Sequence, residues 1–245
     1  MKISIITPTY NRKDLLAETM KSVQAMTLIP LKGVEWEHIV YDDASTDGTQ
    51  ELFKGSSFPN TRYIRSDKNQ GQSKTKNDAV MEATGEYIFF LDSDDIILSR
   101  TLYNFAVKAL ESPDAGWFIA DFLRVDGSLR YIIGQDYFGW KFKDTNEMID
   151  AIFKGEHFMQ YCFMMKKSVF IEAGMCDPKL KMAQDIDLCL RVLMKGYMPV
   201  RCDFISHLHR FHESNMSNGS TMETHMKDMA MLKKKYEDAG LTPLV

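Results

Sequence analysis

Over its first 125 residues the chain alternates short apolar runs with amphipathic stretches. Ile3–Thr7 has no polar alternation, the mark of a strand covered on both faces. Lys13–Met26 carries Leu15, Leu16, Thr19 and Val23 on one side of a predicted helix, with Asn11 placed to cap it. Further strands are predicted at His38–Tyr41, Arg62–Arg65, Tyr87–Leu91 and Trp117–Val125. Between them, Ser45-Thr46-Asp47-Gly48 opens a helix near Thr49–Lys54. Ser73–Thr84 is a helix closed by Gly85, and Thr101–Glu111 one closed by Ser112-Pro113. This alternation predicts an α/β fold with a doubly wound, mostly parallel sheet.

After Val125 the pattern changes. Asp126-Gly127 is a hairpin signal between Phe122–Val125 and Leu129–Ile133, and Gly134–Gly139 is loop-like. Short helices are expected at Thr145–Phe153 and Lys167–Gly174, a helix core at Ile186–Leu193 and a strand at Val200–Ser206. A terminal helix over Met222–Tyr236 places Met222, Met226, Met229, Leu232 or Lys233, and Tyr236 at three- and four-residue steps beside Lys233-Lys234-Lys235. Docking onto the domain is the simpler reading of that stripe; a partner surface or membrane contact is the sharper one. The expected organisation is one domain over 1–218, in two halves (1–100 and 101–218). The segment 219–245 is expected as a helix packed on it.

Composition narrows the classes. Of 245 residues 44% are apolar and 26% charged, which excludes disordered and fibrous chains. Thirty Lys+Arg against 34 Asp+Glu give a net charge of −4, so no footprint for nucleic acid is present. Cys162, Cys176, Cys189 and Cys202 form no CxxC pair, which fits a reducing compartment rather than a disulfide framework. No run approaches the ~20 apolar residues of a membrane span. The expectation is a soluble, cytoplasmic protein, with peripheral contact at the inner face of a membrane left open.

Ligands of doubly wound sheets bind outside the carboxyl ends of the strands. Three polar clusters fall there: Tyr10-Asn11-Arg12, Asp42-Asp43, and Asp92-Ser93-Asp94-Asp95. Strand alternation sends Asp92 and Asp94 to one face, where paired carboxylates call for a hard divalent cation such as Mg²⁺ or Mn²⁺. The competing reading is a solvated acidic loop that caps the next helix. Asp43 can accept a hydrogen bond from a base N–H, whereas Ser45 and Asp47 suit capping. Gly71 permits a close backbone approach, and Lys74, Lys76 and Asn77 follow at a helix start that favours an anion. No GxxxxGK[ST] or GxGxxG occurs, which counts against P-loop and dinucleotide enzymes.

The ordered set Pro8-Thr9-Tyr10-Asn11-Arg12, Asp42 to Thr49, Asn69-Gln70-Gly71, Lys76-Asn77, Gly85 to Ile88 and Leu91 to Asp95 resembles glycosyltransferase family 2. The likeness is close over residues 1–100. It is looser through Gln184 to Leu188 with Arg191, and through Arg210-Phe211-His212 with Ser214 and Ser217. The resemblance implies the three-layer α/β/α GT-A fold, a single Rossmann-like domain with a mixed, mostly parallel sheet. It also implies an inverting transfer from a nucleotide-diphosphosugar, UDP- or GDP-linked, to a glycan or lipid-linked acceptor in surface polysaccharide or lipopolysaccharide assembly.

By the same resemblance Pro8, Thr9 and Tyr10 flank the base with Arg12, Asp43 and Gly71 nearby, and Asp92 and Ser93 lie by the ribose. Asp94, assisted by Asp95, holds Mn²⁺ or Mg²⁺ on the diphosphate, with Lys76 adding charge. Arg210 and His212 lie on a loop that closes over the diphosphate, His212 as an extra metal ligand. Asp185 is the base and Arg191 its accompanying Arg. Gln184 stands where the family carries Glu, and Asp187 is the competing base. His207 and His209 alternate onto one strand face, but no third His or Cys follows at zinc-ligand spacing, so zinc is not expected. The alternatives are another nucleotide-binding α/β transferase, or a sugar-nucleotide binder without turnover.

Overall fold

The computed structural model describes residues 1–26, 33–55, 57–134, 142–154, 163–213, 215 and 222–238. Cys162, Ser214, Ser217, most of the Gly134–Gly139 stretch and both ends of the 219–245 segment lie outside them. In chain order the strands are β1 (Lys2–Thr9), β2 (Glu35–Asp42), β3 (Thr61–Arg65), β4 (Tyr87–Phe90), β5 (Ile96–Ile97), β6 (Trp117–Asp126), β7 (Phe163–Lys166) and β8 (Val200–Phe211). The helices are α1 (Lys13–Gln24), α2 (Gln72–Glu82), α3 (Thr101–Glu111), α4 (Thr145–Phe153), α5 (Lys167–Glu172), α6 (Gln184–Met194) and α7 (Met222–Asp238). Thr49–Leu52 forms a 3-10 turn where a helix was expected.

Among the described residues these strands make one sheet in the order β3-β2-β1-β4-β7-β6-β8-β5. β3, β2, β1 and β4 run parallel, and β8 runs parallel to β6. β7 is antiparallel to both its neighbours, and β5 is antiparallel to β8. The sheet is therefore mixed, with its purely parallel part confined to the N-terminal half. Alternation along β4 shows why it is sandwiched. Tyr87, Phe89 and Leu91 enter one core with Ile3, Ile5, Phe105 and Phe118; Ile88 and Phe90 enter the other with Ile6, Trp117, Phe163 and Leu190. Helices cover both faces, giving three layers.

Close packing at one glycine fixes the entry to β4. A Cβ on Gly85 would lie 2.4 Å from Ser4 Oγ and 2.9 Å from the Lys2 carbonyl, so only glycine fits against β1. The expected hairpin forms as a short one. Asp126 Oδ1 accepts from the N–H groups of Ser128 and Arg130, backbone bonds join Asp126 to Arg130 and Ile132 to Arg124, and Tyr131 makes an antiparallel bridge to Val125. Among the described residues the returning arm is too short to count as a strand.

Capping of α1 also differs from expectation. Asn11 adopts a left-handed φ of 50° and accepts from the Thr46 N–H instead. The free Lys13 N–H is met from 34 residues away by Asp47 Oδ2 at 2.9 Å. Asp47 Oδ1 takes the Thr49 N–H and hydroxyl, so one carboxylate caps two elements. On α7 the buried stripe is Asp228, Leu232 and Tyr236, whereas Met226 is 66% exposed. Of the expected stripe, Leu232 and Tyr236 are buried and Met229 packs against the core, as docking onto the domain requires, while Met226 is left out and Asp228 joins.

Candidate active site at the carboxyl rim of the sheet

The carboxyl ends of β1, β2 and β4 open onto a cavity of about 290 Å³. Pro8, Thr9, Tyr10, Arg12, Asp43, Gly71, Asp92 and Ser93 line it, together with Asn69, Gln72 and Thr75. Eight residues singled out from the sequence are thereby brought to one wall. Gln72 and Thr75 went unnoticed because uncharged polar residues at a helix start are common, and the neighbouring Lys74 and Lys76 carried the signal there. Tyr10 leaves 46% of its surface open, an aromatic face free to pack on a planar ligand.

Backbone strain marks the same rim. Ala44, next to Asp43, has a φ of 64°, and Gly71 caps α2 at φ 86° and ψ 158°, a region open essentially to glycine. Asp43 holds that loop in place. Its two oxygens accept from the Gln70 and Gly71 N–H groups at 2.9 Å each. Oδ1 is also within 3.3 Å of the Ser66 hydroxyl, whereas Oδ2 keeps a lone pair for a ligand donor. Asp42 is structural: it is fully buried and takes the Ser45 N–H and the Tyr63 hydroxyl.

Asp92 and Asp94 were expected to share a face. The chain turns immediately after β4, with Asp95 N–H bonded to the Asp92 carbonyl, and the three carboxylates separate. Asp92 Oδ1 lies 3.2 Å from Nζ of the fully buried Lys76. Asp94 Oδ2 accepts from Arg12 and stands 3.1 Å from His212 Nε2. Asp95 Oδ1 accepts the Arg210 N–H at 3.0 Å and faces His209, while Oδ2 faces His207 at 3.7 Å.

These groupings separate two donor sets. Neighbouring ligands on one octahedral cation lie about 3 Å apart when each bond is about 2.1 Å. Asp94 and His212 meet that spacing, so they fit a divalent cation, with Arg12 beside them on the same oxygen. Asp95, His207 and His209 form a second cluster with ligand atoms within 4.8 Å of one another. The sequence showed no third ligand for the two histidines because Asp95 arrives from another strand end. The two histidines beside this carboxylate shift in opposite directions. Burial lowers the His209 pKa, but Asp95 outweighs it and the net shift is upward, whereas burial leaves His207 lowered and neutral.

Arg210 is not on a loop. It lies within β8, which runs five residues past the predicted end, and its side chain is 1% exposed and paired with Glu18 Oε2 at 2.6 Å. His212 follows the strand directly and reaches Asp94.

Asp185 sits in the first turn of α6. Burial pushes its carboxyl up from 3.8 to about 6; Lys76 pulls it down and Asp92 pushes it further up. Those two influences tie α6 electrostatically to the rim. Gln184 is buried and donates through Nε2 to Gln72 Oε1 on the cavity wall.

Asp187 has a different task from the one its position suggested. It is fully buried and bound by Arg191 Nε at 2.9 Å, Lys235 Nζ at 2.8 Å and the Tyr236 hydroxyl at 3.2 Å. Removing it takes the carboxylate from a half-buried guanidinium that keeps the Ala173 and Met175 carbonyls, from an exposed lysine and from the buried Tyr236 hydroxyl. Asp187→Ala should therefore lower unfolding free energy by about 1–3 kcal/mol. Urea denaturation checks this, and a midpoint unchanged from the parent would refute the structural role.

The family model described as Glycosyl transferase family 2 matches residues 4–174. The chain belongs to this family. Among curated relatives, the poly(ribitol-phosphate) β-glucosyltransferase of Bacillus spizizenii is 34% identical over 158 residues, covering 62% of this chain and 23% of that protein. Among solved structures, S. aureus TarS in complex with UDP-GlcNAc superposes with a TM-score of 0.73 at 22% identity, over 94% of this chain and 66% of the other. The mannosyltransferase PcManGT from Pyrobaculum calidifontis, in complex with GDP-Man and Mn²⁺, gives 0.70 at 20% identity over 96% and 64%. The chain spans less than two thirds of the length of each. The fold of this family-2 transferase is the GT-A fold. Among the described residues, no helix is long and apolar enough to cross a membrane.

Proposed function

We propose that the protein is an inverting, divalent-metal-dependent glycosyltransferase. It moves a sugar from a UDP- or GDP-linked donor to a hydroxyl of a glycan or lipid-linked acceptor in surface-polysaccharide assembly. One observation carries the reading: a carboxyl raised to about 6 stands at a helix start coupled to Lys76 and Asp92, beside a rim cavity lined by Tyr10, Asp43 and Ser93.

In this reading the nucleoside lies in the cavity, with the base against Tyr10 and Asp43 and the ribose near Asp92 and Ser93. Asp94 and His212 would hold the Mg²⁺ or Mn²⁺, which offsets charge on the departing diphosphate. Lys76, paired with Asp92, adds positive charge behind it. Asp185 takes the proton of the acceptor hydroxyl as that oxygen bonds to the anomeric carbon. The bond from that carbon to the diphosphate breaks on the opposite side, so configuration inverts. A base near pH 6 is well matched to a cytoplasm near neutrality. A binder without turnover has no use for such a carboxyl. The acceptor class is supported by the Bacillus relative, and a lipid-linked acceptor would bring the protein to a membrane surface.

Calorimetry with UDP, GDP and their common sugar conjugates, each with Mn²⁺ and with chelator, tests the donor site. Metal-dependent binding of one nucleotide is expected. Silence across the panel would sink the reading.

A further inference from the structure

The N-cap residue of α6 is Ala183, whose methyl group cannot cap; within the first turn Asp185 Oδ1 accepts the Ile186 N–H at 2.9 Å, which leaves another partner to meet the N–H groups before the helix. Three consecutive N–H groups precede it, from Lys181, Met182 and Ala183. All three point at a single atom, Oδ2 of Asp228 on α7, at 2.8, 2.6 and 3.2 Å. Successive backbone N–H groups make an anion nest, and here the chain fills its own nest with a carboxylate from 45 to 47 residues away. Asp228 is 6% exposed, so this contact is shielded from water.

The helix that supplies Asp228 is itself anchored. Leu232 and Tyr236 are buried in the core, and Lys235 and the Tyr236 hydroxyl bind Asp187. α7 therefore grips α6 twice, at residues 181–183 and at Asp187. Asp185 lies between the two grips. The direction in which its carboxyl leaves the helix is set by how firmly that turn is held.

We propose that Asp228 is a positioning residue for the base: from α7 it fixes the 181–183 backbone and so places Asp185 against the donor rim. The proposal rests on the assignment of Asp185 above. A displacement of about 1 Å in a reacting group can cost about a hundredfold in rate. Neither Asp228 nor residues 181–183 line the cavity, so donor affinity is expected to hold when the nest is opened.

The test uses the full chain and three variants: Asp228→Ala, Asp228→Asn, which keeps one acceptor oxygen, and Met229→Ala, which loosens the same helix without touching the nest. Transfer kinetics, donor binding by calorimetry, Tm and amide hydrogen exchange are measured on each. Asp228→Ala should lower kcat by about 10- to 100-fold with donor affinity unchanged. Exchange at residues 181–183 should rise, and Asp228→Asn should recover part of both effects. Met229→Ala should keep kcat at temperatures well below its Tm. Unchanged exchange at 181–183, or a kcat that falls no further than in Met229→Ala at equal loss of Tm, overturns the proposal. Full transfer by Asp185→Asn in a parallel assay overturns the base assignment instead, and the exchange data keep the two failures apart.

Discussion

Asp185→Asn should reduce transfer by about 10²- to 10⁴-fold, the usual range for losing a general base. The substitution is nearly isosteric, so the donor cavity, whose wall does not include Asp185, should bind as before. The pH profile should carry the same signature. With the carboxyl at about 6, the parent enzyme loses activity below that pH as the base becomes protonated. The acid limb should fall about tenfold per pH unit.

Stability should move the other way. The folded-state pKa is raised, so the folded protein binds this proton more tightly than the unfolded chain does. Its ionisation costs stability as pH rises from about 4 to about 6, and the full cost remains above that. Replacing the carboxylate by an amide should therefore raise stability at neutral pH by about 1–3 kcal/mol. Steady-state kinetics and thermal melts on one preparation decide the matter. An active Asn variant, or one that melts well below the parent, would remove Asp185 from the role of buried base.

Asp94→Ala should abolish the dependence of donor binding on Mn²⁺. Burial raises the Asp94 carboxyl, but His212 and Arg12 outweigh it and hold it below its ordinary value, so the group is ionised at neutral pH. Loss of even an outer-shell partner weakens a metal site by about 10–100-fold, so loss of a ligand should reach at least the upper figure. The calorimetric isotherm with Mn²⁺ should then match that with chelator. A variant that still responds to the cation would shift the site to Asp95, His207 and His209. That outcome is chemically distinct, because Asp95 already accepts the Arg210 N–H and faces both histidines.

Much of the architecture was legible before any coordinates. α3 and α4 occur at their predicted bounds, because an apolar face at helical spacing ends in each at a clear stop or starts at a clear cap. The buried strands β1, β4 and β6 were equally plain, being apolar runs too short for helices. β7 was not, since Phe163–Lys166 is four residues without β-branching, and such a run reads equally as a helix fragment. β5 has two residues, too few for any period. β8 was cut short at Ser206 because His207, His209 and Arg210 look like a solvated loop. They are buried only because Asp95 and Glu18 meet them.

By itself the sequence determined the α/β class, the carboxyl rim, and the residues that converge on one wall there. Period and turn chemistry are local properties, and motifs at strand ends inherit their place from the strands. Tertiary structure alone decided how those residues divide their work. It sent Asp94 to His212, Asp95 to a histidine pair and Asp187 to Arg191 and Lys235, though all three read as site carboxylates along the chain. It also set Asp228 against the backbone of residues 181–183, just before α6. The reason is physical: a buried carboxylate is defined by the donors that surround it, and here most of those donors come from elements tens of residues away.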